Sequence, residues 1–186
     1  MITTLLCANT ANAEGAFHPS RVRLLIHGGV DIGEKSQLQL DFIPAGNLLG
    51  EVAPLTHLGV NIEPVKGLGV KPVIGWAFGN DEPILAIQLS PVFADRIYGW
   101  GDVELQLPSQ SGYWFAQADY ELTDHIHAGV EGEGWGLFSD GSSWSNGGGV
   151  NLLGRFDKTG IDLAGHIRNL DGSTKPELVV RVHLFL

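Results

Sequence analysis

The chain has 186 residues, with 26 glycines, 17% charged residues and a formal net charge of −10 at pH 7. This length gives room for one domain. The acidic balance, without a Lys/Arg cluster, excludes nucleic acid as a partner, because its phosphates would be repelled. The single cysteine, Cys7, excludes an intrachain disulfide and a cysteine-rich zinc site. No stretch reaches the roughly 18 apolar residues of a membrane-spanning helix, so only strands could cross a bilayer.

The N-terminal segment, residues 1–19, contains a pattern typical of the end of an export signal. Residues 2–13 form a short apolar patch that ends in Ala11-Asn12-Ala13, and this small-x-small pattern resembles a signal-peptidase site. A basic stretch before the patch is missing. We therefore expect the remnant of a signal peptide, with cleavage after Ala13. The alternative is an ordinary N-terminus.

Alternation of apolar and polar residues with period two predicts strands throughout the rest of the chain. In the N-terminal half the predicted strands are Arg21–Val30, Gln37–Ile43, Leu55–Val65, Gly69–Phe78, Ile84–Phe93 and Arg96–Leu107. In the C-terminal half they cover residues 112–122, 126–135, 150–156, 161–167 and 178–186. The glycine- and serine-rich segment Ser139–Gly149 is expected to form one long mobile loop, and residues 136–147 are taken as the loop at the rim of the barrel.

Single-chain bacterial barrels have an even number of strands, whereas this count gives eleven candidates. We therefore predict an all-β fold over residues 20–186, a closed antiparallel up-and-down barrel of about ten strands, with eight or twelve as alternatives. Arg21–Val30 or a neighbour would then lie outside the ring, or two short runs would merge.

The two faces of the predicted strands favour the transmembrane type of barrel. One face carries Leu, Val, Ile, Ala and Gly, and the other carries acids and bases of both signs. Aromatic residues fall near the two ends of the strands, which is the pattern of the two interfacial girdles of a membrane barrel: Trp76, Trp114 and Trp135 at the long-loop rim, Tyr120 and Phe156 at the short-turn rim. The apolar face would meet lipid and the charged face would line the interior.

The C-terminal strand carries the resemblance to a known class. Its apolar residues alternate at Leu178, Val180, Val182, Leu184 and Leu186, and it resembles the C-terminal strand of bacterial outer-membrane barrel proteins. In that class the strand ends on an aromatic residue that the barrel-assembly machinery recognises, whereas here Leu186 follows Phe185. The resemblance implies export to the outer membrane, with the lipid bilayer and the assembly machinery as partners.

Charged residues on the inward face are predicted to pair, because an unpaired buried charge costs several kcal/mol. Opposite signs recur on neighbouring strands, so we expect an interior ion-pair network made of Asp119, Glu121, His127, Arg155, Asp162 and Arg181. The predicted function is that of an outer-membrane barrel with this polar interior and with extracellular loops, in a structural or adhesive role or as a narrow pore. A small solute or surface ligand would bind at the loop of residues 136–147.

Two enzymatic alternatives remain open, although we expect no cofactor and favour a protein without catalytic activity. His125, His127 and Glu131 resemble part of a cupin metal motif, which would make the chain a soluble binding protein or metal enzyme. On a straight strand, however, Glu131 lies about 14 Å from His127, too far to share an ion. An outer-membrane lipid hydrolase would need Ser, His and a carboxylate to converge. The serines cluster near residues 139–145, whereas His166 and His183 lie on later strands.

Overall fold

A computed structural model describes residues 19–45, 47–48, 53–170 and 172–186. The expected signal-peptide remnant and its cleavage site after Ala13 lie outside these residues. No helix among the described residues is long and apolar enough to cross a membrane. The described residues form the strands β1 Pro19–Gly33, β2 Ser36–Ala45, β3 Leu55–Val65, β4 Leu68–Ala77, β5 Glu82–Ala94, β6 Ile97–Gln106, β7 Ser111–Thr123, β8 Ile126–Leu137, β9 Asp140–Phe156, β10 Thr159–Leu170 and β11 Ser173–Phe185.

The strands close into one barrel in which each strand pairs with its neighbours in sequence. All these pairs are antiparallel except the closing pair, in which β1 runs parallel to β11 with Val22 opposite Val180 and Leu24 opposite Val182. The parallel closure follows from parity, because in an up-and-down chain with an odd strand number the first and last strands point the same way. The prediction of ten strands is therefore wrong. All eleven predicted segments are strands, and β1 lies in the ring.

The long loop predicted at residues 136–147 is also wrong. Strand β8 runs to Leu137 and β9 starts at Asp140, so the segment is a hairpin with a two-residue turn. Glycine and serine hide the alternation of apolar and polar residues here, because they leave few large side chains to mark the two faces. The run Gly147-Gly148-Gly149 lies inside β9 and pairs with both β8 and β10.

The two rims of the barrel differ in the length of their connections. At one rim, called the short-turn rim here, five hairpins turn at residues 34–35, 66–67, 95–96, 124–125 and 157–158. The other rim, called the long-connection rim, includes residues 47–48, 53–54, 78–81 and 107–110 between strands. Short turns on one side and longer connections on the other are typical of membrane barrels.

The wall has apolar residues outside and polar residues inside. Val150 is 67% exposed and Leu163 is 44% exposed on the outer surface, and Ile126, Val180 and Val182 are partly exposed. More polar and charged side chains than apolar ones are buried among the described residues: they include His127, Glu131, Glu133, Asp162, His166, Arg168, Glu177 and Arg181. The space enclosed by the strands is therefore polar, and it holds the candidate site.

Candidate functional site

The charged interior residues of strands β8, β10, β11 and β1 form one ion-pair cluster. We use this name for Arg21, Glu131, Glu133, Asp162, His166, Arg168, Glu177 and Arg181. The members come from strands that are adjacent in the ring or separated only by β9. Their side chains project inward because each occupies the polar face of its strand.

The half of the cluster nearer the long-connection rim is organised around Glu133, whose side chain is fully buried. Its carboxylate accepts hydrogen bonds from Arg21 and, at 2.7 Å, from Arg168. Glu177 bridges the same two guanidinium groups, with 2.7 Å to Nε of Arg21 and 2.7 Å to Nε of Arg168. Arg23 adds a third guanidinium at 3.2 Å from Glu133. Glu133 and Glu177 are thus each compensated by more than one cation, as burial of charge requires.

The other half of the cluster is organised around Arg181, which is 2% exposed. Its two terminal nitrogens donate to both oxygens of Glu131, at 2.9 and 2.7 Å, and Nη1 also donates to Asp162 at 2.7 Å. Such a two-pronged contact is the strongest arrangement that an arginine and a carboxylate form. Nε2 of His166 contacts Glu131 at 2.7 Å and its Nδ1 lies 3.7 Å from Glu177, so His166 joins the two halves.

Trp135 packs into the cluster and does not form part of an outer girdle. Its ring lies 4.0 Å from the guanidinium carbon of Arg168 and 4.8 Å from that of Arg21, which are cation–π distances. The assignment of Trp135 to the long-loop girdle is therefore wrong, because residue 135 shares the inward face of β8 with Glu131 and Glu133. Trp76 and Tyr120, by contrast, are exposed on the outer surface.

Glycines of β9 let the cluster form across that strand. Gly147 lies between Glu133 of β8 and Arg168 of β10, and Gly149 lies between Glu131 and His166. A Cβ atom on Gly147 would lie 2.9 Å from the guanidinium carbon of Arg168. The missing side chains thus leave the space in which residues of β8 and β10 meet.

The six residues of the predicted network are only partly brought together. Arg181 and Asp162 are paired, as described above. Asp119 instead accepts hydrogen bonds from Asn151 at 2.8 Å and Gln117 at 2.9 Å. Glu121 accepts one from Tyr98 at 2.9 Å, and the ring of Tyr98 also packs edge-on against His127. Arg155 is exposed near the short-turn rim.

The sequence prediction missed most of the cluster, although a signal for it existed. Glu133, His166 and Arg168 all occupy the polar face of the alternation. Their partners could not be named, because each contact spans two strand pairings and depends on the register of both.

The three residues with the cupin-like spacing do not converge. His125 lies in the β7–β8 turn with its ring stacked on Phe156, whereas Glu131 contacts Arg181 and His166 in the interior. Another trio of suitable ligand types, Glu133, His166 and Glu177, lies close enough to share an ion. Its two carboxylates already contact arginine, and the positive charge of those arginines opposes a metal ion. Nothing in this arrangement points to a metal.

Ser145, one of the serines considered for hydrolysis, and the two histidines contact other groups. The hydroxyl of Ser145 donates to the backbone carbonyl of Asn169 at 3.0 Å, and His166 contacts Glu131. His183 contacts His27 at 3.1 Å. The geometry therefore gives the hydrolase alternative no support.

Two cavities occupy the part of the interior that the cluster leaves open. The larger, about 500 Å³, extends inward from the long-connection rim past residues such as Asn80 and Leu137. The smaller, about 180 Å³, extends inward from the short-turn rim past Arg155. Both are lined by His27 and Trp100. These two side chains therefore form a waist at which the cavities approach each other.

His27 at this waist belongs to a chain of polar contacts. Its Nδ1 lies 2.8 Å from Asp41, and Asp41 accepts a hydrogen bond from Lys71 at 2.7 Å. On the other side, Nε2 of His27 lies 3.1 Å from His183. Because Asp41 and His183 lie on the two strands beside β1, these contacts fix the orientation of the His27 ring.

A scan against protein-family models finds no family that matches the chain, and a search of curated proteins finds no relative.

Proposed function

We propose that this protein is a β-barrel of the bacterial outer-membrane type, exported and folded into the bilayer with its apolar wall against lipid. The observation that carries the proposal is the inverted polarity of the barrel. Val150 and Leu163 are exposed at mid-strand, while Glu133 and Arg181 are buried. A continuous apolar outer wall is unfavourable in water but matches hydrocarbon.

The dimensions of the barrel support the proposal. Its strands have 10 to 17 residues, and a tilted strand needs about 9–11 to cross the hydrocarbon layer. The ring is closed, so no strand edge would leave backbone groups unpaired in lipid. Single-chain bacterial barrels have an even number of strands, whereas this ring has eleven. A mitochondrial membrane barrel with 19 strands is an example of a barrel with an odd number.

A narrow-pore role is favoured over an adhesive one. Adhesion through loops needs long surface loops, and the segment expected to form one is a tight hairpin of β8 and β9. A pore needs gaps between interior side chains, and the two cavities that approach each other at His27 and Trp100 are such gaps. We propose a passage for small solutes whose narrowest point is this waist.

The membrane proposal is tested by placing a charge on the outer wall. Leu163→Arg should lower the free energy of unfolding in lipid vesicles by about 2–4 kcal/mol, the cost of an arginine at the bilayer midplane. Glu34→Arg, in the exposed β1–β2 turn, is the control and should change it by less than about 0.5 kcal/mol. If Leu163→Arg is as mild as the control, the outer wall faces water and the soluble-barrel alternative gains support.

The pore role is tested separately by single-channel recording in planar bilayers. The parent protein should show small conductance steps, and Trp100→Ala should enlarge them because it widens the waist. Trp76→Ala, which removes a tryptophan from the outer surface, is the matched control and should leave the steps unchanged. A correctly inserted parent that never conducts would refute the pore role and leave the membrane proposal standing.

A further inference from the structure

The larger cavity has the size and lining of a small-molecule site. Its volume of about 500 Å³ falls within the range of ligand pockets, about 300–1,000 Å³. Aromatic side chains of strands β6, β7 and β8 contribute to its wall: Trp100, Tyr113, Phe115 and Trp135. Aliphatic side chains of Leu25, Ile43 and Leu55 complete the apolar part. Such a lining suits an apolar group of a ligand.

Two polar side chains in the same wall lack part of their hydrogen bonding. Asp102 is 5% exposed and His57 is 2% exposed. Oδ2 of Asp102 accepts a hydrogen bond from Gln88 at 3.1 Å, but its Oδ1 is buried without a partner in the described residues. Nε2 of His57 is also buried and unpartnered there, 3.6 Å from the carboxylate of Glu104. An unpartnered buried polar atom is costly, and a bound ligand is one way to satisfy it.

Asp102 and Glu104 also lack a contacting cation. They stand two residues apart on the inward face of β6 with their carboxyl groups in hydrogen-bonding reach of each other, so one shared proton leaves a single negative charge on the pair. Lys71 and Arg23 act on them electrostatically, but Lys71 is paired with Asp41 and Arg23 with Glu133. The pair therefore gives the wall of the cavity one negative charge that no cation among the described residues neutralises by contact.

We infer that the larger cavity binds a small organic ammonium ion whose apolar part is aromatic or branched. A primary ammonium group has three N–H donors. Asp102, Glu104 and His57 offer three acceptors in one part of the wall, while Trp100 and Phe115 offer ring faces for the apolar part. The charge and the apolar surface of the ligand are each matched.

This inference goes beyond the proposed pore role and does not need the barrel to conduct. Binding to detergent-solubilised, folded protein would be observed whether or not solutes pass the waist. Failure to conduct and failure to bind are therefore separate results.

The probe is benzylamine, which is an ammonium ion at neutral pH, and its neutral analogue is benzyl alcohol. Both are titrated calorimetrically into the folded parent protein in detergent, with protein-free micelles subtracted. Benzylamine should bind at least about tenfold more tightly than benzyl alcohol, because a hydrogen bond to a charged group is worth that factor or more. Equal affinities, or no benzylamine binding, would overturn the inference even if no variant could be folded.

Substitutions in the cavity wall then test which residues bind the ammonium group. Because either carboxyl can hold the charge of the pair alone, the double variant Asp102→Asn/Glu104→Gln is needed to remove it, and it should weaken benzylamine binding by about tenfold and leave benzyl alcohol binding unchanged. Asp119→Asn is the matched control, since Asp119 is a buried acid that lines only the smaller cavity, and it should bind benzylamine like the parent. Equal weakening by Asp119→Asn would show attraction to the overall negative charge and would overturn the assignment to this wall. Competition by potassium at equal concentration would mark a general cation site and would also overturn it.

Discussion

Truncation of Arg181 to alanine tests the interior directly. The guanidinium group of Arg181 holds both oxygens of Glu131 and one oxygen of Asp162, and its carbon lies 5.0 Å from the ring centre of Phe115. In the Arg181→Ala variant Glu131 would keep His166 as a partner, but Asp162 would lose the only cation that contacts it among the described residues. One carboxylate would then be buried without compensation.

The expected loss is about 3–5 kcal/mol of unfolding free energy, the usual cost of breaking a buried ion pair by removing one partner. Arg155→Ala is the matched control, because it removes the same side chain from a position near the short-turn rim. Arg155 is exposed, so its loss should change the free energy by less than about 0.5 kcal/mol.

The assay is denaturant unfolding of both variants and the parent in the same lipid vesicles, followed by tryptophan fluorescence. A shift of the midpoint at constant slope would show a change in stability alone. If Arg181→Ala were as stable as Arg155→Ala, water would have to solvate Asp162, and the cluster would be part of a wet lumen. A neutral Arg181→Ala variant would therefore refute the description of the cluster as a desolvated network.

Gly147→Val should lower the free energy of unfolding by about 1–3 kcal/mol, because the new side chain would push into the guanidinium group of Arg168. Gly165→Val is its control, since nothing lies near that position, and it should be neutral or slightly stabilising in the same unfolding assay. Trp135→Leu should lower the free energy of unfolding by about 1–2 kcal/mol, because it removes cation–π contacts to two buried arginines, and an unchanged midpoint would contradict this.

The glycine-rich segment before Val150 shows where composition misleads. Glycine and serine are typical of flexible linkers, so the segment was expected to be a loop. In the barrel, the same glycines form the middle of β9, and the absence of side chains at Gly147 and Gly149 is what lets Glu133 reach Arg168 and Glu131 reach His166. The need for small residues arises from neighbours on other strands, which composition cannot show.

The sequence by itself determined that the chain is made of β-strands and which residues of each strand share a face. Both follow from the period-two alternation of side chains, which is a property of a single strand. The positions of all eleven strands were predicted to within a few residues, except for the early start of β9 at Asp140.

Only the tertiary structure decided how the strands close and which interior residues meet. Ring closure joins β1 to β11, at opposite ends of the chain, and the contact of Arg181 with Glu131 spans 50 residues. Such contacts depend on the register of every strand pair between them, and a shift of one residue would turn a side chain to the other face. The alternation of apolar and polar residues is local and does not specify the register between strands. It could therefore predict a polar interior, but it could not distinguish the ion-pair cluster on one side of the lumen from the cavity on the other.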